Sequence, residues 1–155
     1  MNEQTRVEWK RRADTEPGYA IALALLDYGT SASRETFRAL DTFTQAYVEA
    51  MFFTSTGTGD DGDLEDASFD QLAPSALAEI KEDCAEFQKA HRAMLDATGG
   101  DDSQHGHDFW LTRNHHGAGF WDRGYGQLGE ELTKWSHAMG TVDMYRGDDG
   151  LIYLA

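Results

Sequence analysis

The sequence predicts an α+β fold in which three helices are followed by a β-hairpin, a short helix and a second β-hairpin. Apolar residues recur at helical spacing through the first two-thirds of the chain. An alternating aromatic pattern then occupies residues 109–122, and an Asp-Gly turn separates two short apolar runs near the end. We expect the hairpins to form a small antiparallel sheet packed on helices. Residues 1–35 are assigned to an N-terminal extension with one helix, and residues 36–155 to a single domain.

The first two predicted helices lie in the N-terminal third of the chain. Residues 19–28 carry apolar side chains at helical spacing, and Gly29 ends that stretch. Ser33 is a suitable N-cap for a second helix that extends to Phe53. Its apolar stripe contains Phe37, Leu40, Tyr47, Val48, Met51 and Phe52. The stretch 54–66, rich in Thr, Gly and Asp, predicts a solvated acidic loop.

The third predicted helix is the longest. Pro74 opens it and the pair Gly99-Gly100 ends it. Its core-facing positions step by threes and fours, which is typical of a helix packed on one side. These positions are Leu77, Ile80, Cys84, Phe87, His91 and Met94. The outward face is acidic and carries Glu79, Glu82, Asp83 and Glu86.

A first hairpin is predicted for residues 109–122. Its side chains alternate in direction along the strands, and a turn occupies residues 114–117. This alternation places Trp110 and Trp121 on one face, opposite the phenylalanines. If helices cover the phenylalanine face, both indoles are partly exposed.

The last third is completed by a helix and a second hairpin. A short helix is predicted with Leu128, Leu132, Trp135 and Met139 on one face, closed by Gly140. Residues 141–145 and 151–154 then flank an Asp-Gly turn, which is the strongest short-range signal for a hairpin.

The charge and the cysteine content limit the possible functions. A net charge of −15 argues against direct binding to nucleic acid, and any partner is expected to be basic. Adaptation to salt or a high-GC host is the favoured explanation of the charge itself, and a binding role is the alternative. Cys84 is the single cysteine and excludes an intramolecular disulfide, so we expect a cytoplasmic protein. The longest apolar run, residues 20–26, is far shorter than the ~20 residues that cross a bilayer.

The segment 106–124, GHDFWLTRNHHGAGFWDRG, resembles the signature of a widespread family of small phage, prophage and mobile-element proteins. The likeness continues in weaker form through residues 83–87 and the terminal GDDGLIYL, so that it covers about residues 37–155. His115 departs from the family pattern, in which glycine is more usual at that turn. The resemblance implies an origin on a mobile element and no particular activity.

Histidines and carboxylates in this segment suggest a possible metal site. The candidate ligands are His105, His107 and His116, and zinc or manganese accepts such imidazoles. The spacing is not specific to any metal, and histidines with structural hydrogen bonds are the favoured alternative. We therefore expect no cofactor, with a transition metal as the alternative.

Acid-base catalysis is the second chemical possibility. The candidate catalytic residues are His107, Asp108, Arg113, Asn114, His116 and Asp122, with arginine able to hold an anionic substrate. No nucleophile is evident. The alternative is structural: the aspartates and arginines of this segment, Asp108, Arg113, Asp122 and Arg123, form salt bridges and turn contacts that fix the hairpin.

Three functions remain open. The favoured hypothesis is a non-enzymatic mobile-element protein that binds a host protein, inhibiting a nucleic-acid-binding or defence factor through carboxylates that imitate DNA phosphates. The binding residues it predicts are Trp110, Trp121, Arg123, Glu79, Glu82, Asp83 and Glu86. The alternatives are a small metal-dependent or histidine-based hydrolase with its site at residues 105–125, and an accessory structural protein.

Overall fold

The structure is a computed structural model that describes residues 3–16, 18, 32–55, 64, 65 and 67–155. Two compact units are present, Met1–Ala39 and Leu40–Ala155, and each is described by itself. The helix predicted at residues 19–28 and most of the acidic loop predicted at 54–66 lie outside the described residues. Among the helices within these ranges, none is both long enough and apolar enough to cross a bilayer.

The first unit contains helix α1, Glu3–Ala13, and a further helical stretch at residues 32–38. Glu3 lies in the first turn of α1 and three basic side chains lie in its last turns, an arrangement that complements the helix dipole. Arg12 donates two hydrogen bonds of 2.9 Å to the carboxylate of Glu16, and these bonds lower the pKa of Glu16.

The second unit is mostly helical. Its helices are α2 (Thr42–Ser55), α3 (Pro74–Thr98), α4 (Asp102–Arg113) and α5 (Gln127–Ala138), and single 3-10 turns occupy Phe69–Gln71 and Phe120–Asp122. Strands β1 (Met144–Arg146) and β2 (Ile152–Leu154) pair antiparallel, with Tyr145 opposite Tyr153. The α+β class is therefore confirmed, but the described part of the chain holds one two-stranded sheet and not two joined hairpins.

The single helix predicted from Ser33 to Phe53 is interrupted. Residues 32–38 are helical, and α2 then begins afresh at Thr42. The cause is local: the carboxylate of Asp41 accepts the backbone N–H of Thr44 at 2.7 Å, which is the hydrogen bond of an N-cap. The predicted core face is present in α2, where Tyr47, Val48 and Met51 are buried.

Helix α3 confirms its sequence signals at both ends. Pro74 occupies the first turn, and Gly99 ends the helix in the left-handed conformation with φ of 77°. Ile80, Cys84 and Phe87 are fully buried, as their spacing predicts. Burial raises the pKa of the Cys84 thiol.

The prediction of a hairpin at residues 109–122 is wrong. The residues predicted as its first strand form the second half of helix α4, and the residues after them form a turn that leads into the 3-10 turn Phe120–Asp122. Eight residues of α4 are buried: His105, Gly106, Asp108, Phe109, Trp110, Leu111, Thr112 and Arg113. A helix surrounded on all sides has no single apolar face, so its sequence lacks the 3.6-residue period that reveals a helix.

Helix α4 lies at the centre of the unit. Gly106 allows it to approach α2 closely, since a Cβ at this position would overlap the carbonyl oxygen of Phe43. The ring of Phe109 stacks on that of Phe87 with centroids 4.0 Å apart, and it contacts the rings of Phe43 and Tyr47. The aromatic core therefore joins α2, α3 and α4.

The C-terminal helix and hairpin lie where they were predicted. Helix α5 begins at Gln127, and Gly140 follows it with φ of 79°. The hairpin is anchored to the start of α3 because Ile152 pairs in parallel with Leu72 and accepts the backbone N–H of Ala73 at 2.9 Å. A two-stranded hairpin is marginal alone, and this contact places it on the helical core.

Candidate functional site

Helix α4 carries the candidate residues, and its best-connected polar side chain is Arg113. The guanidinium is 2% exposed and donates to Asp83 Oδ2 at 2.7 Å and to the hydroxyl of Tyr47 at 2.9 Å. It also donates to the carbonyl oxygens of Met139 and Gly140, just beyond the end of α5. Burial by itself would lower the pKa of Arg113, because it disfavours the charged form. The contacts with Tyr47 and Asp83 outweigh that effect and raise the pKa.

This arrangement makes Arg113 an internal clamp. It links α2, α3 and the end of α5, and its positive charge complements the negative end of the α5 dipole. Asp83, predicted as part of an exposed acidic row, is the ion-pair partner of Arg113, and its side chain is only 22% exposed. All the contacts named for Arg113 are internal to the fold, so the expectation that it holds an anionic substrate gains no support from them.

A second ion pair lies on another side of α4. Asp108 is fully buried, and both of its oxygens accept from Arg123, the shortest contact being 2.7 Å to Nη2. Gln104 donates a further bond of 3.0 Å to Asp108 Oδ1. The hydrogen bond to Asp108 raises the pKa of Arg123. Arg123, predicted as a binding residue, thus neutralises a buried carboxylate.

The remaining polar side chains of this segment hold the turn that follows α4. Thr112 Oγ1 accepts the backbone N–H of Phe120 at 3.0 Å, and Asp122 Oδ2 accepts that of Gly119 at 3.2 Å. Asn114 donates to the carbonyl of Trp110 and accepts the backbone N–H of Val142 at 2.8 Å. The structural alternative predicted salt bridges and turn contacts for the aspartates and arginines of this segment. These contacts are present, but they stabilise a helix and the turn after it and not a hairpin.

The histidines are spread along the segment. His105 is fully buried, and its Nε2 lies 2.8 Å from the hydroxyl of Thr98. Position 116 lies beyond the C-terminal end of α4, and the eight-residue step from 105 to 113 alone spans about 12 Å of helix. His116 is exposed in the turn, and His107 is half-buried beside Asp108. In the part of the chain that the structure describes, no three His, Cys, Asp or Glu side chains form a group that could hold a metal ion.

Two of the six candidate catalytic residues, Asp108 and Arg113, lie on different sides of α4. Asp108 and Arg113 are five positions apart on α4, which turns them about 140° from each other around the helix axis. Each is bound to a different arginine or aspartate partner. Comparisons with protein-family models, curated proteins and solved structures found no match to this chain.

The two tryptophans of the segment have different environments. Trp110, expected at a partly exposed edge, is buried, and its indole N–H donates to the hydroxyl of Thr54 at 2.8 Å. Trp121 is 43% exposed on the 3-10 turn, as predicted. Trp135, expected on a core face, is 40% exposed and stacks on His91. The binding role predicted for Trp110 thus lacks an accessible ring, whereas Trp121 has one.

Acidic side chains dominate the second unit. The sequence places six acidic and six basic residues in Met1–Ala39, against 22 acidic and seven basic in Leu40–Ala155. The whole net charge of −15 therefore belongs to the second unit. Arg92, Arg113 and Arg123 are already paired with aspartates inside it. The sequence prediction used the total charge and missed its uneven distribution between the two units. Counting acidic and basic residues on either side of residue 39 reveals that distribution.

Proposed function

We propose that this chain is a non-catalytic binding protein that docks its acidic second unit onto a basic surface of another protein. The observation that carries the proposal is the division of charge: the unit of 116 residues from Leu40 to Ala155 holds the entire excess of 15 negative charges. An excess of one sign raises the rate of encounter with an oppositely charged partner and repels nucleic acid.

The polar residues around α4 support binding over catalysis. Asp108, Arg113 and Arg123 are charged side chains of this segment, and each makes its hydrogen bonds to other groups of the same unit. A catalytic acid, base or anion clamp must reach a substrate, and a buried ion pair opened for that purpose would leave an uncompensated charge. The hydrolase alternative has no comparable support from the geometry.

The partner we propose is a host protein that binds nucleic acid, and the route is imitation of DNA phosphates. Glu79, Glu82 and Glu86 are exposed along α3, separated by about 4.5 and 6 Å of helix axis. Phosphates on one DNA strand follow each other every ~3.4 Å along the duplex axis, so the two rows of charge have comparable density. The likeness of residues 106–124 to mobile-element proteins supports a host protein as the target.

A displacement assay tests this proposal. A labelled DNA duplex is bound to each member of a panel of basic DNA-binding proteins, and its fluorescence anisotropy is followed as the full chain is added. We expect saturable displacement from at least one member at about 50 mM salt. Direct binding of the chain to that member, measured without DNA, should be much weaker at about 500 mM, because screening weakens exposed charge pairs. Displacement from no member of the panel, or direct binding unaffected by salt, contradicts the proposal.

Charge-reversal variants locate the acidic surface. The triple change Glu79→Lys, Glu82→Lys and Glu86→Lys reverses the α3 row, and we expect it to abolish displacement. The matched control is Glu49→Lys, Glu130→Lys and Asp143→Lys, three exposed positions on other parts of the unit that change the net charge equally. Equal losses in both variants would refute the role of the α3 row and leave only a general charge effect.

A further inference from the structure

The exposed indole of Trp121 sits on a fixed turn. A Cβ at position 119 would lie 2.6 Å from Cζ3 of Trp121, so the ring packs directly over Gly119. The carboxylate of Asp122 also reaches this glycine, because Oδ2 accepts its backbone N–H at 3.2 Å. An aromatic ring and a carboxylate therefore lie beside the same residue, and both Trp121 and Asp122 are exposed. We call this pair the Trp121–Asp122 corner.

The corner is held in place by buried neighbours. Phe120, which precedes Trp121, is fully buried, and its backbone N–H is bonded to the hydroxyl of Thr112 in α4. Arg123, which follows the corner, is tied to Asp108. Because the flanking residues are anchored to α4, little conformational entropy remains for the indole to lose when a partner binds.

We propose that the Trp121–Asp122 corner is an arginine-binding anchor, in which a guanidinium of the partner lies on the open face of the indole and pairs with the carboxylate of Asp122. This inference rests on the proposed function, and it names the part of the acidic unit that provides specificity. Arginine suits the corner better than lysine because its planar guanidinium stacks on an aromatic ring and binds a carboxylate at the same time.

Charge complementarity decides the kind of partner. The corner belongs to a unit with an excess of 15 negative charges, which attracts basic segments and repels acidic ones. Arg123, the nearest cation in sequence, is already neutralised by buried Asp108, so it adds little repulsion against an incoming guanidinium. The occupant is therefore an arginine-rich segment of a basic protein.

The test uses a short synthetic peptide of alternating arginine and glycine, with the lysine-for-arginine peptide as its control. The chain has four tryptophans, Trp9, Trp110, Trp121 and Trp135, and each indole N–H gives a separate signal in a ¹⁵N-labelled sample. We expect the Trp121 signal to shift saturably with the arginine peptide. The Trp110 signal should stay in place because that indole is buried against Thr54.

Two matched variants measure the contribution of the corner. Trp121→Ala should weaken binding of the arginine peptide about fivefold, the size of a cation–π contact at an exposed site. Trp135→Ala removes an equally exposed indole elsewhere and should change the affinity less than about twofold. Asp122→Asn can keep the bond to Gly119, yet it should also weaken binding, since the negative charge is lost.

Three outcomes overturn the inference. The first is a Trp121 signal that does not move when the arginine peptide is added. The second is an equal effect of Trp121→Ala and Trp135→Ala on binding, and the third is equal affinity for the arginine and lysine peptides. In each case the proposed function is still decided separately, because the comparison of the α3 charge-reversal variant with its matched control leaves Trp121 and Asp122 unchanged in both proteins.

Discussion

Removal of the Arg113 side chain is the sharpest test of the view that Arg113 is an internal clamp. Arg113→Met keeps an unbranched side chain of similar length but leaves the Asp83 carboxylate, the Tyr47 hydroxyl and the carbonyls of Met139 and Gly140 without their donor. Removing one partner of a buried ion pair costs about 3–5 kcal/mol. Asp83 is 22% exposed and can be partly resolvated, so we expect a loss of about 3–4 kcal/mol in the free energy of unfolding.

The reciprocal variant should cost less. In Asp83→Asn the guanidinium keeps the Tyr47 hydroxyl and both carbonyls, and the asparagine oxygen can still accept a hydrogen bond. We expect about 1–2 kcal/mol for this change and a coupling of about 1–3 kcal/mol between the two sites in a double-mutant cycle. Urea unfolding followed by far-ultraviolet circular dichroism at pH 7 measures all three variants.

The size of the loss in Arg113→Met separates a structural arginine from a functional one. A substrate-binding arginine held in an open cleft could be replaced with little loss of stability, and activity alone would suffer. If Arg113→Met changes the unfolding free energy by less than about 1 kcal/mol, the clamp interpretation is refuted.

Three further predictions concern single residues of α4 and its turn. Burial lowers the pKa of His105 below its usual 6.5, so the unfolded chain binds the proton first as the pH falls. Stability should therefore decline below about pH 6.5 towards the lowered pKa of the folded state, and His105→Gln should flatten this decline in urea midpoints measured from pH 7.5 to 5. His115 adopts φ of 59°, so His115→Gly should raise the thermal midpoint by relieving about 1 kcal/mol of strain. A fall would show that stacking of His115 on His137, with centroids 4.1 Å apart, outweighs the strain. Gly106→Ala improves helix propensity, yet its Cβ overlaps the Phe43 carbonyl, so we expect a net loss of about 2–3 kcal/mol in thermal unfolding. A neutral result would mean that α4 can move away from α2 without loss.

Local sequence signals were sufficient to predict three elements of the second unit: helix α3, the C-terminal hairpin and helix α5. Pro74 and Gly99 mark the ends of α3, and the Asp-Gly turn marks the hairpin, because each acts through the backbone geometry of its own residue. Helix α5 is half-buried, so its sequence keeps the period of a one-sided helix. These predictions needed no knowledge of the remaining chain.

The second half of helix α4 could not be recognised from periodicity because residues 108–113 are all buried. One local signal was nevertheless present: Asp101 accepts the backbone N–H of Gln104 at 2.8 Å, and an aspartate followed three residues later by glutamine is typical of a helix start. The alternating aromatic pattern outweighed that signal in our prediction. The partners of the charged residues could not be predicted for another reason. Arg113 and Asp83 are 30 positions apart, and only the folded chain brings them together.

The many polar and charged side chains of residues 105–123 are therefore best explained by their structural contacts within the unit. Asp108 and Thr112 bind α4 to the turn at residues 120–123, and Arg113 binds it to α2, α3 and the end of α5. We therefore expect substitutions of these residues to be costly for stability, whether or not the segment also binds a partner. Of this segment's aromatic side chains, Trp121 is the one that the core leaves exposed, so selection for a partner would act there and on the surrounding carboxylates.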